Sequence, residues 1–173
     1  ELFHPYGFSD WVALQRLFQG VSGKQLISPT HVLLRDRDHL LLKEKTLQDP
    51  NPYHIDLQLA RPEAPVALEL SRVSQRGPAS PDVLYVDRET LKEGLQVRKW
   101  RKGDYFYPLG MSGKQKISKY FKDHKFNRFE KEAQWLLCSG EEIVWIIGHR
   151  ADERFKVRKD TTQILKIEWK DSK

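Results

Sequence analysis

The side chains in this sequence that are best suited to chemistry are cations, and seven of them fall between Val97 and Phe121. Guanidinium and ammonium groups held on a strand, a turn and a helix can bind phosphate oxygens. We therefore predict phosphate-binding roles for these seven: Arg98, Lys99, Arg101, Lys102, Lys114, Lys116 and Lys119. Two turn signals divide the segment and predict that it folds back on itself. The residues that we expect to form these turns are Gly103, Asp104, Pro108 and Gly110.

Two residues inside this cationic segment allow more than one interpretation. The carboxylate of Asp104 could orient Arg98 or Arg101, or it could accept hydrogen bonds from turn amides. We expect this structural role for Asp104, and phosphate contact for the arginines. Trp100 could pack beneath the cations or offer a stacking surface to a base.

The positive charge of the chain is concentrated in one stretch. The chain carries 30 Lys and Arg against 24 Asp and Glu, a formal net charge of +6. Residues 1–91 hold ten cations and twelve carboxylates, and residues 132–173 hold eight of each. Residues 92–131 hold twelve cations and four carboxylates. Such asymmetry is typical of a surface that binds a polyanion, although composition alone is equally consistent with a solvated basic hairpin and helix.

The sequence contains no convincing catalytic or metal-binding motif. Its six histidines are scattered, and none stands at a metal-ligand spacing from the single cysteine, Cys138. The sequences SGKQLIS at 22–28 and SGKQKIS at 112–118 lack the first glycine of a nucleotide loop, and Gln follows their Lys where Ser or Thr is required. We expect anion contact from Gly113-Lys114, ahead of a basic helix, and a plain turn at Gly23-Lys24. We predict no catalytic residue, no metal site and no cofactor bound by this chain.

Hydrophobic periodicity and turn residues predict many strands and few short helices, which defines an α+β fold. The expected helices cover 8–18, with Ser9 as cap and a core face of Trp11, Leu14, Leu17 and Phe18, and 115–124. A third helix begins at Arg128, after a capping box formed by Asn127 and Glu130. The expected strands cover 32–35, 39–45, 54–60, 66–73, 83–87, 95–100, 135–139, 142–148 and 163–169. The apolar runs of 135–139 and 142–148 indicate strands covered on both faces.

The length of 173 residues suits two small domains, mostly of antiparallel strands, which we place at 1–91 and 92–173. We expect the chain to be a fragment of a longer protein, since it begins at Glu1 without a Met. No apolar run reaches the roughly 18 residues of a membrane helix. The single cysteine indicates a reducing, cytoplasmic setting.

Several linked motifs resemble one known family. LQVRKWRKGDYFYPLG at 95–110, GKQKISKYF at 113–121 and FEKEAQWLL at 129–137 closely resemble the C-terminal domain of bacterial tRNA(Ile)-lysidine synthases. Residues 6–42 are similar to the region just upstream in such enzymes. Trp100 and Lys102 depart from the residues that are common in the family.

The resemblance implies a division of labour within a larger enzyme. In this family, ATP adenylates cytidine 34 of the CAU anticodon of an isoleucine tRNA, and lysine then displaces AMP. That chemistry resides in an N-terminal domain with a Ser-Gly-Gly-x-Asp-Ser loop, and this sequence has no such loop. The resemblance therefore implies a tRNA-binding portion of a carbon–nitrogen ligase, with ATP and lysine bound elsewhere. The alternative from the residues is a basic module that binds an acidic protein or forms a homodimer.

Overall fold

The computed structural model describes residues 2–46, 52–91 and 94–170. Its strands, in chain order, are β1 (Gln25–Ile27), β2 (His31–Asp36), β3 (His39–Glu44), β4 (Tyr53–Ile55), β5 (Leu68–Val73), β6 (Val83–Asp87), β7 (Leu95–Lys99), β8 (Tyr105–Phe106), β9 (Gln115–Lys116), β10 (Trp135–Ser139), β11 (Glu142–Ile146) and β12 (Ile164–Trp169). Its α-helices are α1 (Trp11–Phe18), α2 (Ile117–Asp123) and α3 (Arg128–Ala133). Short 3-10 turns cover His4–Tyr6, Arg88–Thr90 and Glu153–Phe155. The α+β class is confirmed, with antiparallel pairing throughout the named strands.

The first compact unit contains Glu1–Asp49 together with Asn127–Lys131. Within it, α1 packs its buried Leu14 and Leu17 with Phe8 and Leu33. The cap of α1 is Asp10, whose Oδ1 accepts from the Ala13 N–H at 3.0 Å, so the predicted cap at Ser9 is one residue too early. Trp11, predicted to face the core, is 63% exposed.

The first unit also contains the sheet β1-β2-β3, in which β2 and β3 correspond to the strands predicted over 32–35 and 39–45. Its third strand, β1, was not predicted, because three residues are too short for an alternating pattern.

The capping box at the start of α3 is confirmed. Asn127 Oδ1 accepts from the Glu130 N–H at 3.0 Å, and Glu130 Oε2 accepts from the Asn127 N–H at 2.6 Å.

The second unit contains Pro50–Phe126 and Glu132–Lys173 and is built on two main sheets. Their strand orders are β11-β10-β7-β4 and β5-β12-β6. One core cluster draws side chains from both sheets, so the sheets pack face to face. The opposite face of β10 and β11 is buried by α2 through Ile117, Tyr120 and Phe121. The prediction that these two strands are covered on both faces is therefore confirmed.

The structure divides the chain near residue 50, whereas the sequence suggested a boundary between 91 and 92. β4 pairs with β7, and β12 pairs with both β5 and β6, which draws residues 53–87 into the second unit. Such long-range pairing does not affect the local alternation of apolar and polar residues, so the sequence could not reveal it.

The strand predicted over 54–60 ends at Ile55, because Asp56 Oδ1 accepts from the Gln58 N–H at 2.8 Å and forms a turn.

Among the described residues, no helix is long and apolar enough to cross a membrane.

Candidate nucleic-acid interface

Arg98, the first cation of the predicted set, lies inside the protein. It is 1% exposed on β7, and its guanidinium meets the Asp104 carboxylate in two parallel hydrogen bonds, Nη1 to Oδ2 at 2.8 Å and Nη2 to Oδ1 at 3.0 Å. Burial opposes the charge, but the bonds to Asp104, together with the negative charges of Asp104 and Glu141 nearby, raise the pKa of Arg98. The structure thus corrects the prediction for Arg98, which cannot reach a phosphate without breaking this buried pair.

Asp104 connects three parts of the cationic segment, as its expected structural role requires. Its side chain binds Arg98 and also accepts from the backbone N–H of Arg101 at 2.7 Å. Its backbone carbonyl accepts from the N–H of Ile117, the first residue of α2, at 2.9 Å. The turn that carries Arg101 and Lys102 is thereby fixed against the start of the basic helix. Gly103 supplies the positive φ of +101° that this turn needs.

Lys99 is also engaged within the protein. Its Nζ donates to the carbonyl oxygen of Ala133 at 2.6 Å and lies 3.8 Å from the centre of the Trp135 ring. Trp100, the neighbouring residue, packs edge-on against Phe121 at 5.4 Å. Trp100 is therefore partly buried against the core formed around α2.

The five remaining cations of the predicted set are exposed to solvent: Arg101, Lys102, Lys114, Lys116 and Lys119. We call this group the basic face. The pairing of β8 with β9 places Tyr105 opposite Lys116, and the Nζ of Lys114 lies 5.0 Å from the centre of the Tyr105 ring. Because paired strands lie about 4.8 Å apart, Lys114 and Lys116 are held close to β8, the strand that follows the Arg101 turn.

Two members of the basic face have acidic neighbours. Lys119 binds Asp123 at 2.6 Å, one turn along α2, and Arg101 lies 3.8 Å from Glu141. Both pairs are exposed, with 66% and 51% of the cationic side chains accessible, so solvent screens them. An incoming phosphate can replace such partners at small cost.

The expectation for Gly113-Lys114 needs correction. These residues do not lead directly into a helix, because β9 intervenes and α2 begins at Ile117. The N-cap of α2 is Lys116, which makes no side-chain capping bond. Lys114 thus contributes its ammonium group from an extended segment and not from a helix terminus.

The turn at Pro108 and Gly110 is held by two carboxylates that sequence reasoning did not identify. Asp152, 1% exposed, accepts from the Tyr107 N–H at 2.9 Å, and Glu153 accepts from the Gly110 N–H at 2.8 Å. The Gly110 bond is the main cause of the lowered pKa of Glu153. This role of residues 152 and 153 could not be predicted, since nothing local shows that they bind a loop more than 40 residues away.

Arg154 neutralises the buried Asp152. Its Nε and Nη2 donate to the Asp152 carboxylate at 3.0 and 2.9 Å, and its guanidinium carbon lies 4.7 Å from the Tyr107 ring centre. A charge as buried as Asp152 requires such a partner. The Asp152-Arg154 spacing, two residues apart, was the only local signal of this pair.

The described residues contain no cluster of three or more His, Cys, Asp or Glu side chains that could hold a metal ion.

Cys138 is fully buried on β10, and burial raises the pKa of its thiol from 9.0 to about 12.

We expect Cys138 to resist alkylation in the native state. The unfolded chain loses the thiol proton near pH 9, whereas the folded chain keeps it until about pH 12. The free energy of unfolding should therefore fall as pH rises through this window, and this contribution should be complete below it. Iodoacetamide labelling with and without urea, and urea unfolding between about pH 8 and pH 10.5, measure both effects. Cys138→Ala should flatten the pH dependence; native labelling as fast as in urea would contradict the burial.

Comparison with known proteins agrees with the motifs. The TilS substrate binding domain model matches residues 1–45, and the TilS substrate C-terminal domain model matches residues 95–169. The tRNA(Ile)-lysidine synthase of Parabacteroides distasonis is 36% identical over 176 residues, covering 98% of this chain and 40% of that protein. The enzyme of the same name from Bacteroides thetaiotaomicron is 35% identical over 167 residues, covering 95% of this chain and 38% of that protein.

A solved structure shares the fold. The crystal structure of a TilS C-terminal domain superimposes with a TM-score of 0.57 at 18% identity, covering 73% of this chain and 95% of that one. Both matched domain models describe substrate-handling parts of one class of enzyme. The chain belongs to the tRNA(Ile)-lysidine synthase family, and the resemblance read from the sequence is confirmed. It spans about 40% of the length of the curated relatives that it matches.

Proposed function

We propose that this chain is the tRNA-binding portion of a tRNA(Ile)-lysidine synthase. In this role it holds an isoleucine tRNA so that cytidine 34 of the CAU anticodon reaches a catalytic domain elsewhere in the full-length ligase. ATP and lysine are bound by that other domain, in the cytoplasm. The chain itself contributes affinity and orientation and no reacting group.

The observation that carries this proposal is the basic face on a rigid support. Asp104 ties the Arg101 turn to α2 through bonds of 2.7 and 2.9 Å, so the cations are displayed on a fixed scaffold. An RNA duplex is A-form, and proteins meet it mostly through phosphates and 2′-hydroxyls. Fixed, solvent-exposed cations suit that contact because they need not read base edges.

The structure changes which residues we assign to the contact. Arg98 supports the turn from inside the protein, and Lys99 is bound to the Ala133 carbonyl. We assign phosphate contact to the five residues of the basic face. With two of the seven cations serving the scaffold, the salt dependence of tRNA binding should reflect about five phosphate contacts.

The test is a fluorescence anisotropy titration of labelled tRNA(Ile) with this chain at salt concentrations between about 50 and 300 mM. Each phosphate contact contributes roughly 0.7–0.9 to the slope of log affinity against log salt, so we expect a slope of about −4. Gel filtration in parallel detects self-association. A chain that dimerises but leaves the elution of tRNA unchanged would contradict the proposal and favour the protein-interaction alternative.

A further inference from the structure

A pocket beside α2 adjoins the basic face. It lies between the end of α2 and the turn at 148–150, and its volume is about 450 Å³. We call it the α2 pocket. Asp123 lines it, and the Oδ2 of this residue accepts from Lys119 Nζ at 2.6 Å and from Gln115 Nε2 at 3.1 Å. Since Lys119 belongs to the basic face, the pocket and that face are neighbouring parts of one surface.

Tyr120 brings an unpartnered hydroxyl group to this pocket. The residue is 5% exposed, and its hydroxyl makes no hydrogen bond with any residue of 2–46, 52–91 or 94–170. The hydroxyl oxygen nevertheless reaches solvent, unlike the buried Nε of Arg98, which also lacks a partner. A buried tyrosine usually bonds its hydroxyl within the protein. This hydroxyl is therefore available to donate to a ligand in the pocket.

The ring of Tyr120 is held in place by its neighbours. His124 stacks on it with ring centres 4.0 Å apart, and Phe106 packs edge-on against it at 5.5 Å. The imidazole of His124 is fixed in turn, because its Nδ1 lies 2.9 Å from the backbone carbonyl oxygen of Tyr120. A carbonyl oxygen only accepts, so this Nδ1 donates. The hydroxyl is thus positioned before a ligand arrives, which lowers the entropy lost on binding.

Arg150 supplies a positive charge close to this hydroxyl. Burial raises the pKa of the Tyr120 hydroxyl, and the charge of Arg150 opposes that rise. The Arg150 side chain is exposed and donates one N–H to the Leu109 carbonyl at 2.6 Å, which leaves the other N–H groups of its five for a ligand. A guanidinium and a hydroxyl are donors that proteins commonly present to phosphate oxygens.

The negative charge in the pocket is already paired. Asp123 is the only carboxylate among the described residues that line it. The hydrogen bond from Lys119, and a further one from Gln115, hold the pKa of Asp123 below its usual value. An anion that enters the pocket therefore meets Arg150 without an unpaired carboxylate beside it.

We propose that the α2 pocket binds one phosphate group of the RNA backbone, through the guanidinium of Arg150 and the hydroxyl of Tyr120. The inference rests on the proposed function, because the RNA is its source of the phosphate. It extends that function by a sixth phosphate contact, in a concave site next to the open basic face. An RNA strand that crosses Lys119 reaches the pocket without leaving the surface.

The first test uses nuclear magnetic resonance of the ¹⁵N-labelled chain titrated with inorganic phosphate. We expect saturable shifts centred on the amides of Asp123, His124, Gly148 and Arg150. Acetate at the same ionic strength should bind at least about fivefold more weakly, because it offers fewer oxygens and less charge to the same donors. Equal affinity for acetate, or the absence of a saturable shift at these amides, would overturn the phosphate assignment.

Tyr120→Phe and Tyr85→Phe form a matched pair for the hydroxyl. Each removes one phenolic oxygen that has no hydrogen bond within the described part of the chain, but only Tyr120 lines the α2 pocket. Tyr120→Phe should weaken the binding of inorganic phosphate and of tRNA about tenfold, which is typical of a lost hydrogen bond to a charged group. Tyr85→Phe should leave both affinities unchanged. Neither variant loses a structural bond, so both should fold.

Arg150→Ala and Arg158→Ala form a second pair, which tests the charge. Both side chains are exposed, but only Arg150 lines the α2 pocket. Arg150→Ala should reduce the salt slope of tRNA binding by about 0.8, and Arg158→Ala should leave the slope unchanged. Urea unfolding detects any stability lost with the Leu109 bond, and Tyr120→Phe tests the pocket independently of that bond. Equal slopes in the two arginine variants would remove Arg150 from the contact.

The outcome separates this inference from the proposed function. If tRNA binds with the same affinity to Tyr120→Phe and to the unchanged chain, the pocket proposal is wrong and the proposed function stands. If Tyr120→Phe weakens inorganic phosphate alone, the pocket binds a free anion and the RNA is not its source. If inorganic phosphate binds in the pocket while tRNA does not bind the chain, the proposed function fails and the RNA contact fails with it.

Discussion

Replacing Asp104 with alanine should lower the free energy of unfolding by about 3–5 kcal/mol, because it leaves the buried guanidinium of Arg98 without its counter-charge. Arg98 is 1% exposed, and Asp104 supplies both of its bidentate hydrogen bonds. The variant also loses the bond that fixes the Arg101 N–H. Urea unfolding measures the stability change, and tRNA titration below the unfolding transition measures how far the loosened turn weakens binding.

A double variant shows whether the unpaired charge is the cause. Arg98→Met/Asp104→Ala removes the cation together with its partner and fills most of the same volume with an apolar chain, so it should recover part of the lost stability. Asp123→Ala is the surface control, since it breaks an exposed pair with Lys119 and should change stability far less. If the single and the double variant lose the same free energy of unfolding, the unpaired buried charge is not the cause of the destabilisation.

Neutralising two cations of the basic face should weaken tRNA binding without affecting the fold. For Lys102→Ala/Lys116→Ala we expect an affinity at least about tenfold lower at moderate salt, and a salt slope reduced by about 1.6, because two phosphates then keep their counterions when the protein binds. Both side chains are exposed and serve no core contact. Anisotropy titrations at several salt concentrations measure the affinity and the slope together.

The control for this variant removes the same charge elsewhere in the second unit. Arg72→Ala/Lys159→Ala also deletes two exposed cations, but neither lies on the strand, turn and helix of the basic face. A general effect of net charge would weaken tRNA binding equally in both variants. That result, or an unchanged slope in Lys102→Ala/Lys116→Ala, would remove the basic face from the tRNA contact.

Local patterns in the sequence predicted much of the secondary structure. The strand at Val83–Asp87, the capping box of α3 and the doubly covered hairpin of β10 and β11 follow from residue order alone. Periodicity and capping act over a few residues, so one sequence can display them. The linked motifs between 95 and 137 likewise indicate the family from the residues alone.

Partners distant in the sequence could not be predicted in the same way. β12 joins strands that lie about 80 and 95 residues before it, which moves the division of the chain toward residue 50. Asp152 and Glu153 hold a turn more than 40 residues upstream. Nothing in the local pattern of either segment identifies its partner, because strand pairing and side-chain bonding depend on the completed fold.

The sequence by itself determined that a concentrated group of cations lies between Val97 and Phe121, on a strand, a turn and a helix. Charge and turn preference are properties of the residues themselves, so they do not depend on how the chain packs. Only the tertiary structure decided which cations face solvent. Arg98 and Lys102 are both cations of one short segment, but the strand buries Arg98 against Asp104 while the turn exposes Lys102. A cationic side chain can be buried and serve a structural role when a buried carboxylate compensates for the hydration that it loses. It remains available to bind phosphate when the fold leaves it exposed to solvent.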